Sequence, residues 1–309
     1  MGADFGAETL LKGCIAASKV FTDVSFVLVG DEKTIKETLQ KEGADFAPSF
    51  ELLYSEDVIK VNEPAMSAFK GRDSSSMVMA LTRLKEDPDC VGLLSAGNTG
   101  ALMVGSIFRL GMKEGYKTPA LASMLPNTKG GRTVLVDCGA NVNPEPKELL
   151  NFAVLGSDFY KKVFQSENPT VALLNVGKEE GKGTPLIAET YGLLKEASEA
   201  GKINFIGNAE GYDIVTGYAD VVVCEGFSGN IVLKVTEAVG KTAIGVVKML
   251  GEDSDATKKI LEKLTDLFVL NERGGATFLG CIKPVIKMHG CANDETVTAC
   301  VDQLITVSK

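Results

Sequence analysis

Two rhythms of apolar and polar residues alternate along the chain. Short, nearly unbroken apolar runs at residues 24–29, Phe50–Tyr54, 91–94, 120–125, 133–136, 170–176, 203–207 and 221–224 have the length and β-branched content of buried strands. Between them, apolar residues recur at helical spacing. Leu10, Leu11, Cys14, Ile15 and Ala17 give residues 8–19 an apolar face, and Met77, Val78, Leu81 and Leu84 do so behind the serine run 74–76. Asp31 opens a charged helix ending near Gly43, Pro64 falls in the first turn of a helix over 62–69, and Thr184 caps a helix starting at Pro185. Long helices are predicted over 145–164 and 226–250, and a shorter one from Ala101 to about Leu110. Strands alternating with helices predict a mostly parallel sheet covered on both faces, in which ligands bind where strands end and helices begin.

Three of those strand ends share a local grammar. Ser95-Ala-Gly97-Asn98-Thr99-Gly100 follows the run 91–94, Asp137-Cys-Gly139-Ala-Asn141 follows 133–136, and Gly226-Phe-Ser228-Gly229-Asn230 follows 221–224. Small residues allow a sharp exit from the strand, and Asn98 or Thr99 suits the N-cap of the next helix. The first N–H groups of a helix have no internal partner and favour an anion. Each turn alone reads equally well as a plain βα connection; three on one sheet edge suggest a pocket for an anionic or polar group.

A fourth strand end carries charge. Gly177-Lys-Glu-Glu-Gly-Lys182-Gly-Thr184 misses the Walker A spacing by one residue and places Gly183 between Lys182 and Thr184, so a nucleotide triphosphate is not expected there. Lys182 can still direct its ammonium at a phosphate, or lie solvated on the surface. No G-x-G-x-x-G follows a strand, which disfavours a dinucleotide.

Composition narrows the partners. The 309 residues are 45% hydrophobic and 24% charged, a soluble globular profile, and no run reaches the length of a membrane span. The net charge of −9 argues against nucleic acid. Seven cysteines, an odd number with no C-x-x-C pair, read as reduced thiols used as small hydrophobes, and no basic, apolar leader opens the chain. The single histidine, His289, reads as structural, and no metal or cofactor site is expected. Residues 256–270 form an amphipathic helix with Ile260, Leu261, Leu264, Leu267 and Phe268 on one face, suited to packing, a second subunit or a membrane surface.

Together with Leu174-Asn-Val-Gly-Lys-Glu-Glu-Gly-Lys182-Gly, Ile203-Asn-Phe-Ile-Gly-Asn-Ala-Glu-Gly, Asp220-Val-Val-Val-Cys-Glu and Gly274-Gly-Ala…Pro284-Val-Ile-Lys-Met-His289-Gly, the three turns resemble the PlsX family of bacterial acyl-ACP:phosphate acyltransferases, in the family's order along nearly the whole chain. The resemblance implies a single α/β catalytic domain over 1–309, a three-layer αβα fold like that of isocitrate and isopropylmalate dehydrogenases and of phosphotransacetylase, with an amphipathic helical insertion at about 252–272. It implies transfer of a fatty acyl group from acyl-ACP to inorganic phosphate without a cofactor, and a cytoplasmic homodimer held peripherally on the inner face of the membrane, near the downstream glycerol-phosphate acyltransferase. Family members open with a short strand before a Met-Gly-Gly-Asp-x-Gly-Pro turn; here the chain begins at Met1-Gly-Ala-Asp4-Phe-Gly-Ala, and Tyr212 stands where many members carry Arg.

Carried onto this sequence, the resemblance gives Lys182 the attacking phosphate and Asn230, with N–H groups near Ser228 and Gly229, the thioester carbonyl. Asp4, Ser95, Gly97, Asn98, Thr99, Gly100, Gly139 and Asn141 complete the expected substrate-binding set. Lys258, Lys259, Lys263 and Arg273 are the basic residues expected to meet an acidic carrier or a membrane. A phosphotransacetylase-like enzyme using acyl-CoA, a decarboxylating dehydrogenase and an inactive membrane-associated scaffold are the competing readings.

Overall fold

The structure, a computed structural model, describes residues 6–44, 49–252, 254–268, 274–290 and 292–309. Asp4 and Arg273 lie outside the described residues. Two compact units emerge, residues 1–119 with 271–309 and residues 120–270.

The first unit begins with α1 (Gly6–Val20), β1 (Phe26–Gly30), α2 (Glu32–Lys41) and β2 (Phe50–Tyr54). Asp31 caps α2 as expected: its carboxylate accepts from the Thr34 hydroxyl and, at 2.8 Å, the Thr34 N–H, bonds that hold it below its ordinary pKa. β1 and β2 pair in parallel, and Leu28 joins Leu11, Ile15, Ile35 and Leu39 in a buried cluster under α1 and α2. α3 (Ala65–Phe69) is shorter than the predicted 62–69, with Pro64 as its N-cap. The residue before a proline is driven out of the helical region, and the carbonyls of Lys60, Val61 and Glu63 are bonded elsewhere. α4 (Ser76–Glu86) and β3 (Leu93–Ser95) follow. β3 starts two residues later than the apolar run, whose Val91 is exposed. α5 (Thr99–Gly105) continues through one π-helical turn at Ser106–Leu110.

The second unit contains β4 (Ala120–Pro126), β5 (Arg132–Val136), α6 (Pro146–Phe164), β6 (Thr170–Leu174), α7 (Pro185–Glu199), β7 (Asn204–Ala209), α8 (Gly211–Thr216), β8 (Val221–Val223), α9 (Gly226–Leu250) and α10 (Asp255–Phe268). Its strands run in the order β4-β5-β8-β6-β7; β4 and β5 form an antiparallel hairpin and the rest pair in parallel. Val134, Leu135, Val136, Val171, Leu173 and Val221 through Val223 are fully buried, as strands covered on both faces require. α6 starts with Pro146 and a reciprocal capping box between Glu145 and Glu148, and packs on β5 and β8 where Gly156 leaves room for Val136 and Val221. α10 crosses α9 at Gly240, where a Cβ would fall 2.3 Å from that of Phe268.

Residues 271–309 complete the first unit with β9 (Ala276–Leu279), β10 (Val285–Lys287) and α11 (Asp294–Ser308). β10 pairs in parallel with β3 and antiparallel with β9. α11 packs along α1, with Val297 set against Gly13, over a core of Ile286, Met288, Cys300, Val301 and Leu304. No helix among the described residues is long and apolar enough to cross a membrane.

Candidate active site

In the second unit, two of the three small-residue turns are brought into contact. β5 is followed directly by Asp137, whose carboxylate is fully buried. It accepts from the N–H groups of Leu121, Ala140 and Asn141 and from the Asn141 side-chain amide at 3.0 Å. Burial pushes this carboxyl above its ordinary pKa, and the N–H groups of Leu121, Asn141 and Ala140 draw it partly back. The turn 137–141 is thus wound around one buried acid. Gly139 sits at φ +124°, and a Cβ there would come 3.3 Å from the Cβ of Asn230.

The start of α9 presses onto the same turn. The Gly226 N–H donates to the Asn141 carbonyl at 2.7 Å, and a Cβ at Gly229 would lie 1.9 Å from the Asp137 carbonyl oxygen, so no side chain fits there. Glu225 caps α9, accepting from the Ser228 N–H at 2.9 Å and from the Ser228 hydroxyl. The Gly229 N–H is bonded to the Glu225 carbonyl. The N–H groups of Ser228 and Gly229, expected as donors to a substrate carbonyl, are therefore spent within the helix start. Asn230 is different: it is exposed, and its amide makes no hydrogen bond among the described residues.

Lys182 lies on the loop after β6. Asn175 ends the strand two residues before the predicted Val176, because its side chain accepts from the Val176 N–H and donates to the Lys182 carbonyl at 3.0 Å. Gly183, at φ +92°, packs on that Asn175 amide. Thr184 caps α7 as predicted. Asn208 on β7, nearly fully buried, donates to the carbonyls of Lys178 and Glu179. Lys178 is anchored by Asp213 at 2.9 Å, which raises its pKa, and lies over the Tyr218 ring. With both ends of the loop fixed, the Lys182 side chain remains 54% exposed and is paired only loosely with Glu179 at 3.9 Å.

In the first unit the turn 95–100 is equally built, but Asn98 is not free to bind. Its Oδ1 caps α5 by accepting from Ala101 N–H, and its Nδ2 donates to the carbonyls of Lys60, Val61 and Glu63. Ser95 Oγ accepts from the Gly97 N–H, and Gly100 lets α5 approach Ala65. Thr99 is exposed. Lys287, opposite Ser95 in the β3–β10 ladder, donates its ammonium to the carbonyls of Ala96 and Met288 and fixes a positive charge beside the turn.

Asp137, Asn175, Asn208, Glu225 and Lys287 were not among the expected site residues. The visible signal for four of them is one pattern, a polar side chain ending a strongly apolar run. Lys287 carries none, since its meaning depends on which strand lies beside it.

The sequence pattern of the fatty acid synthesis protein family matches residues 1–309. A phosphate acyltransferase of Aquifex aeolicus is 39% identical over 309 residues, covering 96% of this chain and 88% of its own. One from Thermoanaerobacter pseudethanolicus is 38% identical over 98% of this chain and 90% of its own. A phosphotransacetylase from Streptococcus pyogenes has a similar fold, with a TM-score of 0.65 over 96% of this chain and 91% of its own, at 18% identity.

Proposed function

The chain belongs to the PlsX family of phosphate acyltransferases, and on that premise we propose that it moves a fatty acyl group from acyl-ACP to inorganic phosphate, releasing acyl phosphate for phospholipid synthesis. The observation that carries this reading is the match over nearly the whole chain to phosphate acyltransferases and over residues 1–309 to a fatty acid synthesis family. A phosphate oxygen attacks the thioester carbon, the C–O bond forms as the C–S bond breaks, and the carrier's thiol leaves as thiolate. Phosphate is an adequate nucleophile at neutral pH and a thiolate leaves readily, so the protein's task is positioning and stabilisation of charge.

Lys182 binds the attacking phosphate from its braced loop. The Asn230 amide, exposed and unbonded at a helix start anchored to the turn 137–141, donates to the thioester oxygen as it gains charge. Gly139, Asn141, Ser228 and Gly229 serve by holding that geometry. Ser95, Gly97, Asn98, Thr99 and Gly100, with Lys287, shape a turn for a phosphate oxygen of the substrate or of the carrier's arm. Asp4 belongs to the same expected set. Peripheral attachment to the inner face of the membrane, a homodimer and hand-over to a glycerol-phosphate acyltransferase complete the proposal. It is supported by a row of exposed apolar residues on α9, including Val235, Val239, Val246, Met249 and Leu250.

The test combines purified protein, acyl-ACP and phosphate, with hydroxylamine trapping the acyl phosphate. Product from acyl-ACP and none from acyl-CoA is expected; the reverse assigns the donor to CoA, and no product from either sinks the reading. Lys182→Ala should abolish turnover with the fold intact by circular dichroism, and near-normal rates at saturating phosphate would remove Lys182 from the site. Asn230→Ala should cost roughly 10²-fold or more in kcat; an effect confined to KM would make it a binding residue only.

A further inference from the structure

Asp137 is a buried acid that the transfer step does not use. Its side chain is 0% exposed and has no ion-pair partner among the described residues. Oδ1 accepts from the N–H groups of Leu121 at 2.9 Å and Ala140 at 3.2 Å. Oδ2 accepts from the Asn141 N–H and from the Asn141 amide at 3.0 Å. Each oxygen thus meets two donors. An ionised carboxylate accepts at both oxygens, whereas an amide NH2 in place of either would face two donors and leave them short of an acceptor. A buried ion is costly unless hydrogen bonds replace its water. Here N–H groups do so, and Gly226, the first residue of α9, lies against Oδ2, where a Cβ would fall 2.9 Å away. The N-terminal end of a helix favours a negative charge beside it.

Two routes lead from this carboxylate to Asn230. The first runs through the turn. The bonds to the N–H groups of Ala140 and Asn141 fold residues 137–141 so that Gly139, at φ +124°, lies against Asn230. A Cβ on Gly139 would be 3.3 Å from the Asn230 Cβ and 3.4 Å from its Oδ1. The Oδ1 side of Asn230 therefore meets the turn, and Nδ2 is the end that remains for a substrate. The second route runs through the helix. Asn141, held to the carboxylate by both its backbone and its side chain, offers its carbonyl to the Gly226 N–H at 2.7 Å. That bond fixes the start of α9 about one turn before Asn230.

We propose that Asp137, as a buried carboxylate, is the positioning residue for Asn230: it aims the Asn230 amide at the thioester oxygen without touching substrate. The effect on rate rests on the acyl-transfer reading above; the placing of Asn230 by Asp137 does not. Lys182 hangs from Asn175 and Asn208 and not from this turn, so Asp137 governs kcat and leaves phosphate binding alone.

Asp137→Asn is the neutral isostere. With acyl-ACP and phosphate its kcat should fall roughly 10- to 10²-fold, the scale of a displacement of about 1 Å, while the KM for phosphate stays within about twofold. Because the two residues act as one, Asp137→Asn should cost less than about threefold in the Asn230→Ala background. Losses that multiply overturn the proposal, as does an unchanged kcat in Asp137→Asn. If Asp137→Asn does not fold, Asn141→Ala runs the same cycle; it removes one donor and leaves the acid in place. A second readout needs no turnover. In protein isotope-labelled at asparagine, the Asn230 side-chain amide is the magnetic resonance signal missing from Asn230→Ala. It should shift or broaden in Asp137→Asn. An unmoved signal beside a lowered Tm would make Asp137 structural only and overturn the proposal. If wild type yields no acyl phosphate, the acyl-transfer reading fails, and the amide signal still decides whether Asp137 places Asn230.

Discussion

At the scale of single residues, glycine does two opposite jobs in this chain, and a pair of substitutions separates them. Gly229 stands where a Cβ would lie 1.9 Å from the Asp137 carbonyl, a backbone atom that cannot step aside. Gly229→Ala should cost about 1–3 kcal/mol or more through overpacking, seen as a lower Tm, and should lower turnover by displacing Asn230. Gly192 lies inside α7 with nothing within 4 Å of its would-be Cβ. Gly192→Ala should stabilise by about 0.5–1 kcal/mol with activity unchanged. Equal effects of the two in urea melts would show that the contact at Gly229 is relaxed in solution. The sequence carries the need for small residues at 226–230 but not this distinction, because both glycines sit in equally plausible helices. Asn98 shows the same limit. Its cap on α5 is legible from its neighbours, whereas the carbonyls that occupy its amide lie 35 to 38 residues away.

Between residue and unit, the elements nearest the site depend on braces that no local pattern announces. The loop bearing Lys182 hangs from Asn175 and Asn208, and Asn208 is nearly fully buried. Asn208→Ala should leave two carbonyls unpaired at a cost of roughly 1–3 kcal/mol. If the loop positions Lys182, the KM for phosphate rises more than kcat falls; a pure stability loss with unchanged kinetics would make Asn208 structural only. In the first unit, Arg72 bonds both Asp57 and Glu63 and so holds the stretch whose carbonyls Asn98 clasps. The Arg72 hydrogen bond keeps the Asp57 carboxyl below its ordinary pKa. A carboxyl depressed on folding stabilises the fold above its unfolded-state pKa and ceases to do so as pH falls through its folded one. Wild type should therefore exceed Arg72→Ala in urea midpoint at about pH 7, and the gap should narrow towards about pH 3. A gap that is constant with pH would mean that the pair contributes no charge interaction. Helices were the most legible elements, with α9 matching its predicted bounds and α6 lying within one residue of them. β9 and β10 were not foreseen, because strands of three or four residues acquire their identity from the neighbours they pair with, and the 15-residue helix α11 was not foreseen either.

For the molecule as a whole, the governing physical problem is charge. A protein with net charge −9 repels an acidic carrier and an anionic membrane alike, so either of these proposed partners needs a local basic surface. The alternation of strands and helices made the α/β class legible from the start, but charge placement is a surface property that the alternation does not constrain. α10 offers one such surface. Lys258 and Lys259 are exposed on it, Ile260 is half exposed beside them, and the helix is joined to α9, whose outer face carries Met249 and Leu250. Lysines flanking exposed apolar residues fit a membrane surface, since a lipid interface gains from both charge and apolar area. The double reversal Lys258→Glu, Lys259→Glu should therefore abolish binding to vesicles containing anionic lipid, at a weakening of about 1 kcal/mol per lysine removed, while turnover on soluble acyl-ACP stays within about twofold of wild type. Raised salt should mimic the variant in the vesicle assay, since a screened surface attraction falls off over a Debye length of about 10 Å at 0.1 M. The opposite pattern, intact vesicle binding with a raised KM for acyl-ACP, would place the carrier on α10 and leave the apolar row of α9 to a second subunit.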